Sequence, residues 1–318
     1  MIFLLGCILG TCLGYYLKKP EYISSSAVRQ YSAPYKFVRP LLAIGRPDNI
    51  PAIGYNTLSN DISKYIKTQT ENRTISSASV FFINYDKSGS FSINDTAKYA
   101  PASLLKVVVM IAYLKSSEHN LDILDHNLTY TKEMDQGVAI AEFNNPSSLV
   151  VGKKYTVESL IRKMIIDSDN GATNLLLSNI NDSYINQIYS DLGIPRPNEK
   201  DLYTINAKDY SLFLRILFNA TYLSAENSEY ALKLLSESTY KDGLVAGLPT
   251  STIIAHKYGE HVVTDANENP IGFELHDCGL IYISKDPYML CIMAKGKTLT
   301  DLSTAIASIS KMVAAGIK

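Results

Sequence analysis

The 318-residue chain has no tryptophan, only four cysteines and only five histidines. His256 and His261 are near neighbours, but nothing close to them completes a ligand set, and no Cys/His cluster has metal-ligand spacing. Neither charge sign is in excess: 30 Lys and Arg stand against 31 Asp and Glu, a net charge of −1. That balance excludes the basic footprint of a nucleic-acid binder and the acidic tail of a solvating segment. No internal repeat is visible. What is present is ordinary globular composition, 46% hydrophobic and 19% charged, with enough apolar residues to fill a sizeable core.

The chain opens with an uncharged, mostly apolar run, Ile2 to Leu17, closed by Lys18-Lys19-Pro20. A spanning helix needs roughly 17–25 residues. The run of 16 residues is short of that and longer than many signal-peptide cores, and residues 1–20 read as an N-terminal membrane anchor, with a secretion signal that is later cleaved as the alternative. Either reading makes the protein extracytoplasmic. Residues 21–53 hold Ser24-Ser25-Ser26 and four prolines with little periodicity, and read as a spacer. From Gly54 to Lys318 the pattern is globular and fits one domain with a helical sub-domain. Cys278 and Cys291 fall in two late apolar runs. They read as buried free thiols, with a cross-strand disulfide as the alternative in an oxidising compartment.

The expected elements run in a simple order. Tyr55–Thr70 reads as a helix. "ASVFFINYD" and "GSFSIN" read as strands joined by a turn at Asp86–Gly89. Pro101 stands where a helix should start. Helical patterns dominate from about Val157 to Leu235. Strand-like runs return in "STIIAHKYG", "GLIYIS" and "YMLCIMAKG", and "LTDLSTAIASISKMVAAGI" closes the chain as a helix. Strands from both ends of the sequence then meet in one antiparallel sheet flanked by helices, an α+β fold with an all-helical sub-domain.

Three short stretches carry possible chemistry. Ser-x-x-Lys occurs at Ser103/Lys106, Ser238/Lys241 and Ser308/Lys311, so the spacing alone decides nothing. The last two read as surface pairs on helices. The first differs because "VVVMIAYL" follows Lys106. A helix apolar on almost every side is buried, and a lysine at its head is poorly solvated. Desolvation lowers a lysine pKa toward that of a usable base, and a serine three residues away shares its face. Ser168-Asp169-Asn170 lies between two apolar runs, either as a helix N-cap or as a polar turn projecting into a cleft. Lys257-Tyr258-Gly259 ends an apolar strand, either as an edge-strand lysine or as a place where a ligand approaches the backbone.

Taken together, Ser-x-x-Lys, Ser-Asp-Asn and Lys-x-Gly in this order resemble the penicillin-binding protein and class A β-lactamase superfamily of active-site serine enzymes. The resemblance covers roughly Gly54 to Lys318 and implies the β-lactamase/transpeptidase-like fold. It implies Ser103 as the acylated nucleophile and Lys106 as its general base or part of a proton relay. Ser168 would pass a proton to the leaving nitrogen. Asn170 would bind the substrate amide, and Lys257 would supply positive charge for a substrate carboxylate. Tyr258 and Gly259 would line the substrate site, and the backbone N–H groups of Ser103 and Glu260 would form the oxyanion hole. It implies no metal and no cofactor. The expected partner is a small β-lactam or a peptidoglycan stem peptide, with no nucleic acid. The expected activity is that of a β-lactamase. The alternatives are a D-Ala-D-Ala carboxypeptidase or transpeptidase, or a non-catalytic wall-peptide binding module.

Two features depart from that pattern. Tyr258 stands where the family has Thr or Ser. The connection that follows the Ser-Asp-Asn helices contains no Glu-x-x-Asn, the pattern of the glutamate that activates the deacylating water. Glu199 and Asp201 are the acids it offers. They read first as solvated loop charges and second as a deacylation base.

Overall fold

The computed structural model describes residues 28–29, 35–43, 54–85, 89–134, 147–196, 203–283 and 287–317. The proposed anchor (residues 1–20), Glu199 and Asp201 lie outside the described residues. Among the described residues no helix is long and apolar enough to cross a membrane.

A five-stranded sheet organises the molecule. Its strands are β1 (Ile75–Asn84), β2 (Gly89–Ile93), β3 (Ile253–Thr264), β4 (Pro270–Tyr282) and β5 (Tyr288–Gly296). They are ordered β2-β1-β5-β4-β3, and every neighbouring pair is antiparallel. Early and late strands thus meet in one sheet, and β3 forms an edge. The central strand β5 is buried along almost its whole length, which is why "YMLCIMA" reads as continuously apolar rather than alternating.

One face of the sheet is covered by α1 (Asn56–Glu71), and the closing C-terminal helix, Leu299–Gly316, lies beside it. The first helix buries Leu58, Ile62 and Ile66, a stripe at i, i+4, i+8. The closing helix buries Leu302, Ile306, Ile309 and Val313. The other face carries the helical sub-domain. It consists of α2 (Lys106–Ser117), α3 (Val157–Ile166), α4 (Asn170–Leu177), α5 (Asp182–Asp191), α6 (Ala207–Phe218) and α7 (Ala225–Ser236). Helix α2 runs through its middle with every residue from Lys106 to Leu114 buried. Side chains cap the helix starts: Thr156, Asp169, Asn181, Asn206 and Ser224 each accept a backbone N–H in the first turn. Helix α5 lies within the stretch read as mainly helical, but no pattern of its own marks it. Only Ile185, Ile188 and Tyr189 of its polar sequence are buried, too thin a stripe to stand out.

Two expectations need correction. Part of the stretch read as a spacer, residues 35–43, lies against the domain. Phe37 and Val38 are buried. The Glu229 carboxylate accepts the N–H groups of Lys36, Phe37 and Val38 at 2.7–3.1 Å, and Tyr282 donates its hydroxyl to the Phe37 carbonyl. Cys278 and Cys291 are direct cross-strand partners on β4 and β5 and form a disulfide rather than two thiols.

Candidate functional site

The site grows from the turn that feeds α2. Tyr99 exchanges both of its backbone hydrogen bonds with Ile205. Pro101 then ends the extended backbone, and Ala102–Leu105 forms a 3-10 turn. Ala102 has φ +48°, a left-handed conformation that an alanine adopts only when its surroundings impose it. Ser103 sits inside this turn, half-buried. Tyr210 of α6 donates to the Leu104 carbonyl at 3.1 Å. Gly259 of β3 lies so close that a Cβ there would meet the Pro101 carbonyl oxygen at 2.7 Å and the Leu104 nitrogen at 3.1 Å. The glycine of the Lys-x-Gly stretch is therefore where strand and turn touch.

Ser168 joins α3 to α4 with φ +58° and is buried. Asp169 is the N-cap of α4: its carboxylate accepts the Ala172 N–H. The same carboxylate also accepts the Ser148 N–H and the Ser147 and Ser148 hydroxyls. Burial pushes this carboxyl up, but those hydrogen bonds outweigh it and hold the group below its ordinary range. The N-cap and the projecting-turn readings are thus both realised, on neighbouring residues.

Two buried lysines converge on Ser168. Lys106 Nζ donates to the Ser168 carbonyl at 2.5 Å, to Ser168 Oγ at 3.1 Å and to Asn170 Oδ1 at 2.7 Å. Lys257 Nζ donates to the same Ser168 Oγ at 2.9 Å and to the Tyr258 carbonyl at 3.1 Å. Burial lowers Lys106 to about 7, opposed in part by the charge of Asp169. Burial first, and then repulsion from Lys106, drives Lys257 well below the ordinary lysine value. A hydroxyl that both accepts and donates, placed between two easily deprotonated amines, can move a proton from one to the other.

Tyr258 covers this pair. Its ring stacks on Tyr240 at 3.9 Å and 12°, which leaves the opposite face to the Lys257 ammonium, 4.2 Å from the ring centroid. Burial, and then the charge of Glu260, raise the phenol above its ordinary value. Burial also raises the Glu260 carboxyl, against the pull of Lys257.

Lys106, Ser168, Asn170, Lys257 and Tyr258 therefore meet in one cluster, and Gly259 holds the Ser103 turn against it. Ser103 itself is not tied in. Among the described residues its hydroxyl takes part in no hydrogen bond, and the Lys106 amine is engaged with Ser168 and Asn170 instead. Of the other Ser-x-x-Lys pairs, Ser308 is half-buried and Lys311 exposed on the closing helix, beside the Val245–Gly247 turn. Ser238 does not fit that reading: it is buried beyond the end of α7, with Lys241 donating to its carbonyl. The anchoring of Ser147 and Ser148 by Asp169 was not legible, because the partners are about 20 positions apart with no local signal.

These features define an α+β protein with a Ser/Lys cluster where a sheet edge meets a helical lobe. The sequence profile of the β-lactamase enzyme family matches residues 57–317. The chain belongs to that family. Among proteins with curated functions, none matches this sequence. Solved structures share the fold. PBP-A is 20% identical, with a TM-score of 0.69 over 85% of this chain and 98% of its own. The TLA-1 extended-spectrum β-lactamase is 18% identical, with a TM-score of 0.70 over 83% of this chain and 99% of its own. A class A β-lactamase from Bacteroides cellulosilyticus is 19% identical, with a TM-score of 0.67 over 82% and 98%.

Proposed function

We propose that this chain is a serine acyl-transfer hydrolase that opens β-lactams through an acyl–Ser103 intermediate. One observation carries the reading: two buried lysines share the Ser168 hydroxyl beside the turn that presents Ser103. In the first step Ser103 Oγ bonds to the lactam carbonyl carbon and gives its proton to the neutral Lys106 amine. The carbon–nitrogen bond of the ring breaks, and the leaving nitrogen takes a proton from Ser168, which Lys106 and Lys257 replace. The N–H groups of Ser103 and Glu260 hold the oxyanion; the edge position of β3 supports this, because alternate N–H groups of an edge strand have no strand partner. Asn170, Tyr258 and Gly259 line the substrate. Water then cleaves the ester, with Glu199 or Asp201 as the base.

A second reading, a D-Ala-D-Ala peptidase acting on peptidoglycan stem peptides, is favoured by the missing Glu-x-x-Asn. Each tenfold loss in deacylation adds about 1.4 kcal/mol to its barrier, so a poorly placed base leaves the enzyme acylated by penicillin. A point mutant of PBP-A has been solved as an acyl-enzyme complex with penicillin G, so one fold relative is acylated by this drug. We place the protein outside the cytoplasm, held by residues 1–20; the Cys278–Cys291 disulfide suits an oxidising compartment. The test is continuous turnover of a chromogenic cephalosporin by the full-length chain. Sustained ring opening that disappears in Ser103→Ala supports the β-lactamase. A single stoichiometric burst, together with release of D-alanine from a stem pentapeptide, moves the assignment to the peptidase.

A further inference from the structure

The Ser103 turn is gripped from beneath by two polar side chains that the relay does not use. Glu274 and His276 are alternate residues of β4, so both point to the face that carries α2. Ala100 N–H donates to Glu274 Oε2 at 2.8 Å. His276 Nε2 lies 2.9 Å from the Ala100 carbonyl oxygen. A carbonyl only accepts, so Nε2 carries the proton and donates. One residue, three positions before Ser103, thus has both of its backbone polar groups held by side chains of one strand.

The surroundings fit a purpose-built grip. Glu274 and His276 are both buried, and His276 is wholly so. Buried carboxylates and imidazoles are costly; the residues that follow on this face of β4, Cys278 and Leu280, are apolar, and the neighbouring buried Asp277 is engaged with His256 and the Leu244 N–H instead. The strand position opposite His276 on β3 is Gly259, the residue against which Pro101 and Leu104 lie. The turn is therefore laid across the sheet edge, touching β3 through a glycine and β4 through two hydrogen bonds. The His276 ring also meets the Tyr99 ring edge-on at 5.5 Å, and Tyr99 is bound to Ile205 in the helical lobe. Glu274 Oε1 lies 3.8 Å from Lys295 Nζ on β5, which steadies the carboxylate from its other side. Two residues further on is Ala102, whose left-handed backbone needs such over-determination to persist.

We propose that Glu274 and His276 are positioning residues that fix the Ser103 turn by holding Ala100 from both its N–H and its carbonyl. This rests on the reading of Ser103 as nucleophile. Neither side chain touches the reacting atoms; they set where Ser103 stands. Burial lowers the His276 imidazole to about 4, so it is neutral at pH 7 and can keep the tautomer the contact requires.

The test compares Glu274→Leu with Glu274→Gln in the full-length chain, by stopped-flow acylation with a fluorescent penicillin. Glutamine keeps a carbonyl oxygen for the Ala100 N–H; leucine does not. A small misplacement of a reacting group costs up to about 100-fold, so the leucine variant is expected to acylate about 10- to 100-fold more slowly, with non-covalent affinity unchanged. The glutamine variant is expected near the wild-type rate. Equal rates in all three proteins overturn the proposal, and so does a glutamine variant as slow as leucine. If the leucine variant does not fold, His276→Gln and His276→Leu make the same comparison at the carbonyl end. If the wild-type chain takes no acyl group at Ser103, it is the nucleophile assignment that has failed. Amide hydrogen exchange at Ala100 then judges the grip. Faster exchange in the leucine variant but not in the glutamine variant supports it, and the same rate in all three overturns it.

Discussion

Replacing Lys106 with methionine is expected to slow acylation by β-lactams about 10²–10⁴-fold, the usual contribution of a positioned general base. The change removes the amine and keeps the apolar stem. Lys106 is 5% exposed at the head of a helix that is buried without a break through Leu114, so a charged amine there is held against its solvation. Burial brings it to about 7, which leaves a large neutral fraction at physiological pH. Acylation by the wild-type chain should accordingly rise with pH, pass half-maximum near 7 and level off above. The stability consequence has the opposite benefit. With a folded value below the unfolded one of about 10.4, the unfolded chain binds the extra proton between those values, so the native state gains stability as pH rises through that window. The methionine variant avoids this liability and should melt no lower than wild type at pH 7 while acylating poorly. Thermal melts and stopped-flow acylation on the same preparation check both. A methionine variant that acylates within a few-fold of wild type removes Lys106 from the mechanism.

Ser168→Ala is the second large effect, an expected loss of about 10²–10³ in acylation, within the range for a proton-transfer group. Among the described residues its hydroxyl is the one atom within hydrogen-bond distance of both lysine amines. Without it, Lys106 keeps the Ser168-position carbonyl and Asn170 Oδ1, while Lys257 keeps only the Tyr258 carbonyl. The two amines no longer exchange protons through a shared group, and the leaving nitrogen has no donor. The loss should fall on the acylation rate constant and not on non-covalent affinity, because Asn170, Tyr258 and Gly259 remain. Single-turnover kinetics over a range of substrate concentrations separate the two. A change confined to affinity would make Ser168 a binding group and leave the proton route unassigned.

Much of the architecture is legible in the residues. The stripe Leu58–Ile62–Ile66, the unbroken apolar run after Lys106 and the solid apolar strand Tyr288–Ala294 each declare one element and its depth. The motifs declare their meeting only as a set, since Ser-x-x-Lys alone occurs three times and Ser238 is buried for another reason. What stays hidden is non-local and polar. Glu229 binds a stretch some 190 positions away, and Glu274 and His276 bind Ala100 from some 175 positions away. No periodicity encodes such pairs. The one local trace is the alternation of Glu274 and His276 around Leu275, and Asp277 beside them blurs it, so the run marks a polar interruption of the strand without saying which partner each side chain meets. Helix α5 escaped because its polar surface outweighs three buried side chains.

The most direct measurement of the central claim is the intact mass of the full-length chain during incubation with penicillin G, beside Ser103→Ala. The full chain is needed because residues 35–43 belong to the packed domain. The account predicts a single added penicilloyl mass on the wild-type protein, mapped by peptide digestion to Ser103 and absent from the alanine variant. Its persistence over hours reports deacylation, long for the peptidase reading and short for the β-lactamase. No adduct and no consumption of penicillin, or an adduct that survives Ser103→Ala, contradicts it.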